Sequence, residues 1–342
     1  MEKRKIQRTG SSSYIVTLPK EWIDSMGLKS GDYVYIYEYD DKLIITSSKA
    51  ETRRLKGEIR ILKPVENDEV FRTLVGMYLS GYDNITVYYD PSIPNLAKRL
   101  NELKSYARIK LAGVEIVDET YNSVTLKILL NFKELPLIQA IRRLHLIVNN
   151  MLKDALDAFK NRNLERAETV IQRDDESDRF HFMIIRQLAQ ALLDISVMRE
   201  LGIENPVEVL NYRIIARNLE RIADHAVNIA RRTFYREEKC VLCDEVYNLG
   251  LKVVNLFNNS MECFYKLSRT TCENVIREAD EIVKFIESML TEKILGSNIS
   301  SSEKTLLTLI FDSLRRITRY SNGIAESALN IRVSKNPINE IK

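Results

Sequence analysis

The sequence is short of chain breakers, with 11 glycines and 7 prolines in 342 residues. That scarcity implies few loops and long regular elements. No apolar run approaches the roughly 18 residues of a membrane span, and no signal-peptide core follows the start Met1-Glu2-Lys3-Arg4-Lys5. A soluble, cytoplasmic protein is therefore expected. Histidine is scarce, at His145, His181 and His225, which excludes a His-rich metal site. Neither charge dominates: 51 Lys and Arg against 48 Asp and Glu leave +3, which excludes a histone-like basic protein and an acidic tail. Gly76, Gly81 and Gly113 stand isolated, so no glycine-rich phosphate loop is present. With no Ser-His-Asp or Cys-His grouping either, an enzyme is not expected. Of four cysteines, Cys240 and Cys243 form a CxxC, and Cys263 and Cys272 are too far apart for the second pair of a zinc ribbon. Buried or free thiols are expected, with a redox or metal role the alternative. What is present, a 45% apolar content, excludes general disorder, and the length suggests two or three domains.

The first 50 residues read as β-loop-β-helix-β-β. Tyr14 to Leu18 is strand-like, and Pro19 precedes a short helix, Glu21 to Met26, that stops at Gly27. Tyr33 to Tyr39 and Leu43 to Thr46 are rich in β-formers around an Asp40-Asp41 turn. Residues 1–20 hold Lys3, Arg4, Lys5, Arg8 and Lys20 against Glu2, a balance of +4, whereas residues 21–50 carry −3. Cations beside Gln7, Thr9 and the Gly10-Ser11-Ser12-Ser13 loop suit phosphate contact with some base-edge reading; a solvated basic strand is the plainer alternative. A unit this small cannot bury enough surface alone, so pairing with a second copy is expected.

The run RKIQRTGSSSYIVTLPKEW, followed by GLKSGDYVYIY and LIIT, resembles the AbrB/SpoVT swapped-hairpin DNA-binding domain. The resemblance covers about 45 residues. It implies a homodimer of interlocked hairpins that contacts DNA through Arg4, Lys5, Gln7, Arg8, Ser11, Ser12, Ser13 and Lys20. Some members of that fold bind protein partners instead.

From 51 to 131, strand signals (LKGEIRIL, NITVYYD, GVEIVDE, SVTLKILL) alternate with two helical ones (NDEVFRTLVGMYLSGY, IPNLAKRLNELKSYA). They define a small α/β domain with no recognisable chemistry, a spacer or an oligomerisation and ligand module. Beyond about 133 the pattern turns wholly helical, with helices expected over roughly 135–161, 164–200, 205–235, 241–268, 272–295 and 302–332. Six helices with short connections suggest two three-helix bundles. RDDESDRF and EADEIVKF on the second helix of each half, and ERIADHAVNIA and RRITRYSNGIA on the third, mark an internal repeat.

Asp174 and Asp178 are four apart and share a helix face, continued by Val170 and Phe182. Glu220 and Asp224 repeat the spacing beside Ala216, Ala223 and Val227. Carboxylates in an apolar stripe are costly unless paired or metal-bound, and hard cations would resolve their repulsion. The alternative is a surface ladder in which Arg173, Arg179, Arg217 and Arg221 pair with these acids. An oxidative di-iron enzyme is disfavoured, because the run is Glu-x-x-x-Asp-His and occurs once.

DDESD and ARNLERIADHAVNIA resemble the signatures of the PhoU family, over about 200 residues. The resemblance implies paired three-helix bundles with metal ligands Asp174, Asp178, Glu220 and Asp224, backed by His225 and Asn228. It leaves iron, zinc, magnesium and manganese open. The second bundle has Ala279, Val283, Arg315 and Arg319 at the ligand positions, so one metal site per chain is expected. Arg315, Arg316 and Arg319 suggest an anion site such as one for phosphate; a solvated basic face or bridges to Glu278, Asp280 or Glu281 are the plainer readings. The expected organisation is thus multidomain: a dimeric swapped-hairpin β domain (1–50), a small α/β domain (51–131) and all-α bundles at 132–236 and 237–335. This order resembles archaeal phosphate uptake regulators. It implies a DNA-binding transcriptional regulator of phosphate uptake, or an adaptor that controls a phosphate transporter or kinase by protein contact.

Overall fold

The computed structural model describes residues 2–39, 41–47, 55–130, 134–238, 240–295 and 299–335. The chain divides into two compact units, Met1–Arg53 and Arg54–Lys342. The expected boundaries at 50/51 and 131/132 lie outside the described residues.

In the first unit, the head, β1 (Gln7–Thr9) and β2 (Ser13–Ile15) form an antiparallel hairpin with Gln7 opposite Ile15 and Thr9 opposite Ser13. Gly10 makes the turn at φ +64°, a left-handed conformation that a side chain would strain. Pro19 is extended and leads into α1 (Lys20–Ser25). A second hairpin pairs β3 (Tyr35–Tyr39) with β4 (Lys42–Thr46). The element order is the expected one. None of the described head residues is buried, and Ile6, Tyr14, Tyr33, Ile36 and Leu43 are open to solvent, Tyr33 at 85%.

The second unit, the body, begins with β5 (Leu55–Ile61), α2 (Asn67–Leu79), β6 (Tyr82–Tyr89), α3 (Leu96–Lys110), β7 (Val114–Glu119) and β8 (Ser123–Ile128). The sheet order is β5-β6-β8-β7. β5 and β6 run parallel with α2 as their crossover, and β8 pairs antiparallel with β6 and β7. Leu74, Tyr78, Ile85, Val87, Leu103 and Leu126 lie in its core.

The helical part follows as α4 (Leu137–Asn161), α5 (Leu164–Gln172), α6 (Asp174–Leu193), α7 (Ile195–Glu200), α8 (Pro206–Thr233), α9 (Cys243–Lys266), α10 (Arg269–Ser288) and α11 (Ser301–Lys335). A π-helical stretch, Met289–Leu295, extends α10. The single helix expected over 164–200 is in fact three. Its first break, at Arg173, lets α6 open on Asp174, Asp175 and Glu176, whose charge suits a helix N-terminus. Its second is at Asp194, extended and capping the Ser196 amide. α8 starts with Pro206 behind an Asn205–Glu208 capping box. α8 packs on α4, α5 and α6, and α11 packs on α9 and α10; α8 lies along α11, and α4 along α9.

The cysteines correct an expectation. They are not thiols: Cys240 joins Cys243 and Cys263 joins Cys272 as disulfides, with Cα separations of 5.6 and 5.2 Å. Leu267, in the left-handed conformation at the end of α9, reverses the chain and brings the start of α10 against the end of α9. A spacing of nine residues that is long in sequence becomes short in space.

Candidate functional site: an acidic cluster between two helices

The four acids come from α6 and α8, which pack against each other. Each pair sits one turn apart, so the pairs face across the helix interface. Burial raises Asp174 to about 6, with repulsion from Asp178 and Asp224 adding to it. Glu220, its side chain 13% exposed, is pushed to about 7 by burial and then by Asp224 and Asp178. Asp224, which keeps solvent contact, is raised by partial desolvation and by Asp178. The carboxylates therefore feel one another, as the i, i+4 spacings require.

Their neighbours are cations of two kinds. Arg217 donates from Nη1 to Glu220 Oε1 at 2.7 Å, the one rung of the expected arginine ladder that forms on these four acids. Arg173 pairs instead with Asp154, and Arg221 reaches the Tyr320 hydroxyl. The second cation comes from the α/β segment. Lys110, the last residue of α3, places Nζ 2.6 Å from Asp175 Oδ1 and 2.6 Å from Asp178 Oδ2. Burial works against its charge, but the hydrogen bonds and the charge attraction of both carboxylates together outweigh it and raise its pKa. The segment in which no chemistry was legible thus supplies the cation that holds Asp178.

Lys110 belongs to a longer contact. Asp178, Phe182, Arg186 and Gln190 recur every four residues along α6, and each step advances the face by only about 40°. Phe182 packs against the α/β core. Arg186, 1% exposed, donates from Nη1 to the carbonyls of Tyr78 and Tyr82, both at 2.7 Å, and from Nη2 to Asp83 Oδ1 at 2.6 Å. Gln190 Nε2 donates to the Gly81 carbonyl at 2.9 Å. Gly81 has φ +92°, and a Cβ there would come 2.6 Å from Gln190 Nε2. From Asp178 to Gln190 this line of α6 therefore turns toward the α/β segment.

His225, expected behind the ligands, lies with its ring 5.9 Å from that of Tyr320 on α11. Burial, and then Arg316, lower it to about 4. Asn228 is half-buried on the same helix. In the second repeat, Arg315, Arg316 and Arg319 line a cavity of about 330 Å³ with Val283, Glu287 and Tyr320. Each holds a carboxylate: Arg315 and Arg316 bind Asp312, and Arg319 binds Asp280 at 2.9 Å. The bridge to Asp280 is thus present. In the head, Arg4, Lys5, Gln7, Arg8, Ser11, Ser12, Ser13 and Lys20 are all exposed. Arg4 bonds Thr17 Oγ1 and Glu2, and Arg8 bonds the Ser11 carbonyl, which braces the hairpin turn.

In chemistry the acid cluster fits a hard cation: its donors are carboxylate oxygens, and Glu220 Oε2 is buried without a hydrogen-bond partner. In placement it does not, because among the described residues no three His, Cys, Asp or Glu side chains converge to hold an ion. Among those residues, too, no helix is long and apolar enough to cross a membrane.

These features define a paired helical-bundle protein with an acidic inter-helix site on one half, joined in sequence to a two-hairpin head. Comparison with known proteins gives the parts their relatives. Residues 141–233, which hold all four acids, match the PhoU domain. Residues 7–53 match "Antidote-toxin recognition MazE, bacterial antitoxin". A "Phosphate-specific transport system accessory protein PhoU homolog" of Clostridium acetobutylicum is 22% identical over 207 residues, 56% of this chain and 89% of its own. One from Caulobacter vibrioides is 36% identical over 95 residues, 28% of this chain and 38% of its own. The crystal structure of the phosphate transport system regulatory protein PhoU from Streptococcus pneumoniae superposes with a TM-score of 0.52 at 20% identity, covering 58% of this chain and 94% of that one. That likeness is one of fold.

Proposed function

We propose that this protein is a DNA-binding transcriptional regulator of phosphate uptake with a metal-binding PhoU-like sensor body. The observation that carries the reading is the union in one chain of a PhoU-domain match over the acid cluster and a MazE match over a basic hairpin head. Phosphate enters through the names of the relatives, which are phosphate-specific transport accessory proteins. A head with no buried residue among those described supports pairing with a second copy, because exposed apolar side chains gain free energy only when covered. Its eight exposed polar and basic residues would then form the DNA surface. A hard cation, from among iron, zinc, magnesium and manganese, would have to draw Asp174, Asp178, Glu220 and Asp224 together from a placement in which no three of them converge, and would relieve their repulsion. The role is regulatory rather than catalytic.

Fluorescence anisotropy with DNA fragments selected from the host genome tests the head. The wild type is expected to bind with a steep salt dependence. R4A/K5A/R8A should weaken binding and lower the slope of log K against log salt by about 3 per chain engaged. Undiminished binding by the triple variant would remove the proposed DNA surface.

The second reading, an adaptor acting by protein contact, is favoured by the description of the MazE match as a recognition module and of the relatives as accessory proteins. Cross-linking to a phosphate transporter with no selected DNA fragment would decide for it.

A further inference from the structure

The sheet of the α/β segment ends in two edge strands, β5 and β7, and they are built differently. β7 carries Glu115, Asp118 and Glu119, and its register slips between Ile116 and Asp118. Acidic charge and an irregularity of that kind guard an edge against further strands. β5 is regular from Lys56 to Ile61 and pairs, among the described strands, with β6 alone. The Asp90 amide donates to the Ile61 carbonyl at 2.8 Å, so Gly57, Ile59 and Ile61 turn their peptide groups toward β6. Lys56, Glu58, Arg60 and Leu62 therefore turn theirs outward, where a further strand would receive them. Beside this edge, Ile59, Ile61, Leu62, Val65, Val70 and Thr73 line a groove of about 600 Å³.

We propose that β5 is an interface with a second copy of this chain, the two edge strands running antiparallel about a two-fold axis at Ile59. The charges select both the occupant and the register. Glu58 and Arg60 lie on the exposed face, where Arg60 Nη2 meets Glu58 Oε2 at 2.6 Å within the strand. Across an antiparallel ladder, residues whose peptide groups point outward pair with one another, which leaves few two-fold registers. Centring the axis on Glu58 or on Arg60 sets that residue against its own charge. Centring it on Gly57 carries Arg60 past the end of the partner strand. Centring it on Ile59 sets Glu58 of each copy opposite Arg60 of the other, giving two cross-strand ion pairs on one face. The strand is thus complementary to itself, as a two-fold interface requires. The helices of both copies then cover the same side of one continuous sheet, and the two Ile59 side chains meet beside the grooves. This interface lies wholly within the body and uses neither the head nor the acidic cluster.

Mixed-variant cross-linking of the full chain tests the pairing. E58C and R60C are prepared separately, mixed and gently oxidised; the native cysteines are already paired within the chain. In a mixed pair the two new thiols stand directly opposite, about 5.5 Å apart at Cα and within disulfide reach, while the other Glu58–Arg60 pair survives. In either variant alone they are diagonal neighbours, about 7–8 Å apart. The mixture is expected to give at least about tenfold more covalent dimer than either variant alone. Sedimentation provides the second readout: E58R should weaken self-association at least about tenfold, and E58R/R60E should restore it. Both side chains are exposed, so these changes leave the core untouched. Covalent dimer no more abundant in the mixture than in the separate variants would overturn the interface, and is the result expected if a different protein covers this edge. Self-association unmoved by E58R would overturn it as well.

Discussion

The first and second repeats of the helical body keep one fold and reverse its chemistry. Glu220 and Asp224 on α8 correspond to Arg315 and Arg319 on α11, and Arg217 corresponds to Asp312. The pair Arg217–Glu220, three apart, thus reappears as Asp312–Arg315, three apart, with its charges exchanged. On α6, Asp174, Asp178 and His181 correspond to Ala279, Val283 and Ile286 on α10, where all three are buried and apolar. His225 and Tyr320, which hold equivalent positions, meet at 5.9 Å where α8 lies along α11. The difference teaches that backbone packing and site chemistry separate cleanly. The apolar positions that join the helices are shared, while the polar ones have diverged into a strained acidic half and a neutralised, self-paired half.

Arg186 gives the largest break in that comparison. R186A leaves buried carbonyls and Asp83 without their donor, and should cost about 3–5 kcal/mol in chemical denaturation. R319A, in an exposed bridge to Asp280, should change stability by no more than about 0.5 kcal/mol. Similar losses from both would erase the asymmetry.

The buried histidine comes next. Burial holds His181 neutral and depresses it to about 4, and the nearby Arg217 and Arg213 act in the same direction against Asp178. Because its folded pKa lies below the ordinary value near 6.5, the unfolded chain takes up the proton first as pH falls. The stabilisation is complete above about 6.5 and disappears toward 4, a loss of about 3 kcal/mol across the window. H181Q should flatten that limb relative to wild type in urea titrations between pH 7 and 4.5. The second repeat, with Ile286 at this position, contributes nothing to it.

The disulfides sharpen the comparison from the other side, since both lie in the second half. Closing the loop between Cys263 and Cys272 constrains the unfolded chain by about 2–3 kcal/mol. C263S/C272S should lower stability by that amount while leaving the pH limb of His181 in place. The smallest effect concerns the arginine cavity. With its three arginines already paired, phosphate titration should give no binding tighter than about millimolar, and R319A should not alter the isotherm. A micromolar isotherm lost in R319A would make the second repeat an anion site.

Much of this was legible in sequence because it is local. The Gly10 turn, Pro19, the β-rich runs of the head, the α/β alternation and the long amphipathic helices follow from propensity and period. The i, i+4 acids announced a shared face, and the charge reversal in the second repeat could be read directly. Sequence spacing did not disclose what lies across that face. Nothing around Lys110 names Asp175 and Asp178, more than sixty residues away, and a lysine at a helix end is ordinarily solvated. Arg186 left a better trace, as a lone arginine within an apolar stretch of α6 on the line of Asp178 and Phe182. The breaks at Arg173 and Asp194 were hidden because neither position carries glycine or proline, and the Cys263–Cys272 bond because it depends on the left-handed turn at Leu267.

The bareness of the head reaches beyond its shape. If the burial it lacks comes from a second copy, as proposed, then folding of the head and association of two chains are one equilibrium, whose position depends on how many chains are present. At low abundance the basic hairpins would be an unfolded leader on a body that stands by its own core; as abundance rises, the surface that meets DNA comes into being. Cellular dose would then set how much of that surface exists.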